Sequence, residues 1–79
     1  DAFSSLAVQV YPNPVKDILT LNAIQPINNI TIYNIMGQKV TSYKKLLNNK
    51  IDVSTFSKGF YILNAEIKGA IQSIKFLKI

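Results

Sequence analysis

The chain has 79 residues, near the lower size limit for a hydrophobic core that is stable without disulfides or metals. It contains no cysteine, which excludes disulfides and thiolate metal sites. Apolar residues make up 48% and charged residues 16%, a globular composition, and no apolar run is long enough to span a membrane. The net charge of +5 comes from nine lysines without arginine, and because base-reading contacts favour arginine, we expect no nucleic-acid partner.

Short runs of β-branched and aromatic residues between Pro, Gly and Asn predict strands. The first, 6–11, ends at an elbow formed by Pro12, Asn13 and Pro14, since proline fixes φ and keeps the residue before it extended. Further strands are predicted at 18–23, 30–35, 40–47, 51–53, 60–67 and 71–77. Seven short strands at this spacing predict an all-β fold, a small β-sandwich.

The breaks between the later strands contain residues that tolerate a left-handed backbone. They are the asparagine pairs 28–29 and 48–49, Gly37 at a hairpin, and Lys-Gly at 68–69, which predicts a two-residue reversal. Segment 54–59 is longer, and we predict one tight helical turn there, with Phe56 directed inward.

Alternation along the strands predicts which side chains face the core. Tyr61, Leu63, Ala65 and Ile67 share one face and are predicted to be buried, with Asn64 and Glu66 toward solvent; Leu6, Val8 and Val10 form a similar set, as do Ile30 and Ile32. Segments 40–47 and 71–77 instead carry apolar residues and lysines on both faces, which predicts a bulge, a sheet edge or a partner surface.

Catalytic chemistry is poorly represented, because the chain has no His or Cys and only four acidic residues. Nothing in their spacing makes Asp17 and Asp52 converge across a cleft, and Ser57 and Lys58, as neighbours on a turn, would point apart. For calcium, the segment from Asn13 to Asp17 offers only two side-chain ligands, so we favour a capped turn. We therefore predict no catalytic residue, no metal site and no cofactor.

A carbohydrate-binding or adhesive accessory module stays open as an alternative function. A β-sandwich that binds glycans uses exposed aromatic rings, and the candidates are Tyr11, Tyr33, Tyr43 and Phe60. In a core this small, at least half of these rings are expected to be packed.

Three stretches and the final strand match one known family in order and spacing. They are Val10-Tyr11-Pro12-Asn13-Pro14 with 18–21, then 30–40, then 51–54 through 58–63, and the lysine-bearing tail 74–79. On these motifs nearly the whole chain resembles the type A C-terminal sorting domain of type IX secretion substrates in Bacteroidota.

The resemblance implies an immunoglobulin-like antiparallel sandwich that serves as a non-catalytic transport signal. Residues 1–5 would be the end of a linker from the cargo, and residues 6–79 the sorting domain. The cargo, exported across the inner membrane by an N-terminal signal peptide, would pass the outer-membrane translocon, and a sortase would then remove the domain. The localisation implied is the periplasm in transit and then the cell surface or the medium.

Family-motif residues carry over to Pro12, Asn13, Pro14, Gly37, Gly59 and Tyr61. Gly59 and Tyr61 are expected to act mainly through folding, because alternation places Tyr61 inward. The tail residues Lys75, Phe76, Leu77, Lys78 and Ile79 are the hypothetical translocon contact, with exposed lysines and an unpaired strand edge available for β-augmentation. On this hypothesis, deletion of these five residues leaves a folded but retained domain, and an unpaired edge would also allow dimers.

Overall fold

Two antiparallel sheets form the part of the chain that the computed structural model describes, residues 8–79. The strands are β1 Val8–Tyr11, β2 Ile18–Ala23, β3 Asn28–Asn34, β4 Lys39–Tyr43, β5 Lys50–Asp52, β6 Gly59–Ile67 and β7 Ala70–Lys78. One sheet has the order β1-β2-β5 and the other β4-β3-β6-β7. The predicted all-β sandwich is confirmed, and its immunoglobulin-like arrangement stays a prediction. The predicted linker, residues 1–5, and the strand start at Leu6 lie outside the described residues.

Alternating side chains from both sheets fill the core. Tyr61, Leu63, Ala65 and Ile67 of β6 are all buried, as predicted, and Ile30 and Ile32 of β3 are fully buried opposite them. Asn64 and Glu66 lie half-buried on the other face of β6. The remaining buried apolar residues are Val8, Val15, Leu19, Leu21, Ile27, Ile51, Val53 and Phe76. No helix among the described residues has the length and apolarity needed to cross a membrane.

Most of the predicted turn residues adopt the left-handed backbone, but the predicted break at Asn28 and Asn29 is wrong, because both residues lie inside β3 and only Asn29 has a positive φ. Asn29, Asn48 and Asn49 have φ of 49°, 58° and 53°, and Gly37 has φ of 84°. Lys68 and Gly69 form the predicted two-residue reversal, because Ile67 pairs directly with Ala70 across them.

Segment 40–47 was predicted as one strand, but β4 ends at Tyr43 and a short 3-10 turn covers Leu47–Asn49. Here the chain leaves the four-stranded sheet to reach β5 in the other sheet. Leu46 in this connection packs against the core, while Leu47 is 89% exposed. The two adjacent leucines were therefore wrongly included in the predicted strand.

Segment 54–59 contains one hydrogen-bonded turn, in which the Phe56 N–H donates to the Val53 carbonyl oxygen at 3.0 Å. The Phe56 ring is packed against the core, as predicted. Both segments with mixed faces are sheet edges: β4 and β7 flank the four-stranded sheet, and the pairing of β3 with β4 shifts register between Ile32 and Tyr33.

Candidate functional site

The Pro-Asn-Pro elbow closes over the C-terminal strand. The Asn13 side chain accepts a hydrogen bond from the Leu77 N–H at 3.0 Å and donates one to the Lys75 carbonyl oxygen at 3.4 Å. Val15 then forms a parallel bridge with Lys78, donating to the Leu77 carbonyl at 2.8 Å and accepting from the Ile79 N–H at 2.9 Å. We call residues 13–15, in this arrangement, the clasp.

Because of the clasp, residues 75–79 do not present a free edge. In an edge strand, every second residue directs its backbone N–H and carbonyl groups away from the neighbouring strand. In β7, the N–H and carbonyl of Leu77 and the N–H of Ile79 point away from β6 and bond to the clasp. The expected unpaired terminal edge is therefore wrong for this part of β7. By the same alternation, the outward backbone groups that do not bond to the clasp are those of Ile71 and Ser73 and the N–H of Lys75.

The tail residues divide between core and surface. Lys75 and Ile79 are exposed and Leu77 is half-buried, but Phe76 is 1% exposed and Lys78 only 6%. The expectation that both tail lysines are exposed is wrong for Lys78, which lies on the inner face opposite Gly59, a residue without a side chain. Its ammonium group donates to the Ile79 carbonyl oxygen at 2.8 Å, which offsets part of the desolvation cost.

The structure also changes the expected outcome of deleting residues 75–79. This deletion removes Phe76, whose ring stacks on Tyr61 with 5.6 Å between centroids. Loss of a buried Phe ring alone costs about 3–5 kcal/mol, against a total of about 5–15 kcal/mol for a typical domain. We therefore expect the truncated domain to be much less stable than the full one, so that its folding has to be measured alongside its export.

Gly37, Gly59 and Tyr61 occupy positions where their backbone conformation or side-chain contacts support the fold. The Tyr61 hydroxyl donates to the Ser57 carbonyl oxygen at 2.7 Å, and its ring centroid lies 5.2 Å from that of Phe56. Gly59 has φ of 146°, which residues with a Cβ rarely adopt. Their place in the fold accords with a role through folding.

Sequence reasoning missed Asn34, which organises the hairpin around Gly37. Its side-chain oxygen accepts the N–H groups of Met36 and Gln38, both at 3.0 Å, and its carbonyl accepts the Gly37 N–H at 2.9 Å. The signal that could have found it is an asparagine three residues before a turn glycine.

The outer face of the four-stranded sheet carries a partly exposed apolar and cationic surface, in which Phe60 and Lys75 are exposed and the other residues are half-buried. Register places Tyr33, Ile62 and Lys75 in one row across three strands, and Phe60 pairs with Leu77 beside it. The Lys75 Nζ lies 4.4 Å from the centroid of the Phe60 ring, a cation–π contact. We call these five residues the outer patch.

The candidate glycan-binding rings do not form one platform. Tyr33 and Phe60 share the outer patch, but Tyr11 belongs to the other sheet and Tyr43 packs partly against the core. Two of the four rings therefore share an exposed face.

The two acids considered for catalysis take part in backbone hydrogen bonds, Asp17 through its own backbone carbonyl and Asp52 through its carboxylate. The Asp17 carbonyl oxygen accepts the Val53 N–H at 2.8 Å, and the Asp52 carboxylate accepts the Ser54 N–H at 2.9 Å. Hydrogen bonds from the Ser54 side chain and backbone lower the pKa of Asp52 below its ordinary value. Within residues 8–79, no three His, Cys, Asp or Glu side chains are grouped to hold a metal ion.

Comparison with known proteins places these features in a family. Residues 9–79 match the family described as the secretion system C-terminal sorting domain. A 56-residue segment, 71% of the chain, is 39% identical to beta-agarase D of Zobellia galactanivorans, of which the match covers 11%. The match over residues 9–79 includes the clasp, the motif glycines, Tyr61 and the terminal strand. The chain therefore belongs to the family of type IX secretion C-terminal sorting domains, whose function is that of a sorting signal.

Proposed function

We propose that the type IX translocon recognises this domain as a folded unit, through the outer patch at the C-terminal strand. The observation that carries the proposal is that residues 75–79 are hydrogen-bonded on both edges, to β6 and to the clasp. A strand held in this way offers its outward side chains and not its backbone. Lys75, exposed above the Phe60 ring, is the charged group that it offers.

The physical character of the outer patch suits a transient protein contact. It combines one exposed aromatic ring and half-buried aromatic and aliphatic side chains with one cation, and the strands beneath it are fixed by the core residues of β6. Aromatic residues are enriched at interfaces, and a nearby cation gives specificity and faster association. This proposal keeps Lys75, Leu77 and Ile79 as direct contacts and assigns Phe76 and Lys78 to the fold.

We further propose that a cargo lies upstream and that a sortase removes the domain after transport to the cell surface or the medium. The beta-agarase relative supports the first point, because the match covers only 11% of that protein.

The test is a fluorescent reporter with an N-terminal signal peptide, fused ahead of this chain in a cell with a type IX system. We expect surface delivery that is lost in a translocon mutant, and an exported reporter whose mass lacks the domain only where the sortase is active. Translocon-independent delivery, or retention on glycans by the domain itself, would favour the adhesive alternative.

The outer patch is tested with Lys75→Glu, paired with Lys16→Glu at another exposed lysine as the control for charge. Exposed substitutions change stability by about 0.5 kcal/mol or less, so both variants should fold with similar melting temperatures. We expect Lys75→Glu to reduce export several-fold and Lys16→Glu to leave it unchanged. Equal export by the two variants would remove the outer patch from the recognition surface.

A further inference from the structure

A cleft opens between the two sheets on the side away from the clasp. It has a volume of about 570 Å³ and lies between β4 and segment 52–57. Thr41 and Tyr43 line one wall, Asp52 the other, and Phe56 and Tyr61 are also among its lining residues. The cleft arises because β4 and the three-residue strand β5 are the edges of their respective sheets.

The free edge of β4 forms one rim of this cleft. The Asn29 N–H donates to the Lys44 carbonyl at 2.9 Å, and Thr31 lies opposite Ser42, so residues 42 and 44 direct their backbone groups toward β3. Alternation then directs the backbone N–H and carbonyl groups of Thr41 and Tyr43 outward, where no other described strand pairs with them. An extended peptide placed here would continue the four-stranded sheet.

The lining of the cleft indicates which side chains such a peptide would carry. The half-buried aromatic rings of Tyr43 and Phe56 offer apolar contact to peptide residues that face inward. Asp52 is the charged residue of the lining, and its carboxylate is exposed. In a domain with net charge +5, this is a local site for a cation, so charge complementarity favours a peptide with a lysine or arginine.

A second copy of the chain is a poor occupant. Antiparallel pairing of two β4 strands would bring Lys39 of one copy near Lys44 and Lys45 of the other. Like charges across paired strands are destabilising, and lysines on an edge strand oppose self-association. The occupant is therefore a different protein.

We propose that the cleft binds an extended strand of a partner protein, which pairs with Thr41 and Tyr43, places an apolar side chain over Phe56 and directs a basic side chain to Asp52. This surface lies on the opposite edge of the sheet from β7. It is independent of the outer patch, and the proposal does not rest on the one made for that surface.

The test uses the purified domain and synthetic peptides of about eight residues that alternate threonine and valine, with a central lysine or a central glutamate. Two-dimensional NMR reports which backbone amides respond, and fluorescence anisotropy gives the affinities. We expect shifts at Thr41, Tyr43 and neighbouring residues, and binding of the lysine peptide about tenfold tighter than that of the glutamate peptide. High salt should reduce this difference.

Two variants separate the backbone and charge contributions. Thr41→Pro removes an outward N–H at an edge position where proline is tolerated, and should abolish binding while the fold persists by NMR. Asp52→Asn should weaken the lysine peptide about tenfold, whereas Asp17→Asn, the control on an exposed acid outside the cleft, should not. If Thr41→Pro unfolds the domain, the Asp52→Asn variant and the comparison of the lysine and glutamate peptides still test the proposal.

Three outcomes would overturn the proposal. They are the absence of shifts at β4 with millimolar peptide, shifts confined to the Ile71–Ser73 edge, and equal affinity for the lysine and glutamate peptides. Concentration-dependent dimerisation that is lost in Thr41→Pro would also overturn it, because the cleft would then belong to a second copy.

Discussion

The clasp predicts that Asn13, although exposed, contributes to stability through β7. In Asn13→Ala the Leu77 N–H loses its acceptor at 3.0 Å and the Lys75 carbonyl loses its donor at 3.4 Å. A hydrogen bond of ordinary length contributes about 1 kcal/mol net, and the longer bond contributes less. We therefore expect a loss of about 1 kcal/mol.

A change of this size is measurable in so small a domain. For 60–100 residues, 1 kcal/mol at the midpoint lowers the melting temperature by about 4–8 °C. The assays are thermal and urea unfolding, together with hydrogen exchange of the Leu77 amide, which should be about fivefold faster in the variant. Asn13→Asp keeps the acceptor for Leu77 and loses only the donor, so it should fall between Asn13→Ala and the natural protein.

The matched control is Asn22→Ala, at an exposed asparagine of β2. Exposed substitutions away from such contacts change stability by about 0.5 kcal/mol or less. If Asn13→Ala melts within about 1 °C of Asn22→Ala and the Leu77 amide exchanges at the natural rate, the elbow does not hold β7 and the reasoning fails.

Three further predictions concern the motif residues and the cleft. Tyr61→Phe should lower the free energy of unfolding by about 1 kcal/mol in urea titrations, because it loses only the hydrogen bond to Ser57, and its export should persist; an export defect at unchanged stability would contradict a role through folding. Gly37→Ala should cost about 1–2 kcal/mol by the same titration, since φ is 84° there and residues with a Cβ are strained in that region, whereas a neutral result would show that the hairpin relaxes. Ionised Asp52 stabilises the fold because its folded pKa is lowered, so the stability advantage over Asp52→Asn should be present at neutral pH and be lost as the pH falls below the ordinary carboxyl pKa and through the lowered folded pKa; an advantage that grows on acidification would have the wrong sign.

Local patterns in the sequence were sufficient to predict most of the strands and turns. β6 alternates apolar and polar residues through Leu63, Ala65 and Ile67, and this period places one face in the core whatever the partner strand is. The left-handed positions at Asn29, Asn48 and Gly37 follow from side-chain chemistry at the residue itself.

The site depended on contacts between distant parts of the chain, which local patterns do not encode. Alternation predicts that Lys78 is buried on the same face as Phe76, whereas the charge of a lysine predicts an exposed side chain. The structure shows a buried Lys78 whose ammonium group is accommodated by a hydrogen bond to Ile79 at the sheet edge, a contact that the sequence pattern does not indicate. The elbow predicted where the first strand ends, yet nothing near Asn13 in sequence indicates that its side chain bonds to Leu77.

The clasp joins residues that are 64 positions apart, so it forms only after nearly the whole domain has been made. At about 5–20 residues per second, synthesis of this span takes about 3–13 s, and during that time no hydrogen bond between Asn13 and Leu77 can exist. A polypeptide that stalls or is cut before Leu77 lacks the backbone groups of Leu77 and Ile79 that bond to Asn13 and Val15, so the part of β7 that remains is not held by the clasp. Under the proposed recognition of the folded domain, only a chain that is intact to this point carries the complete signal.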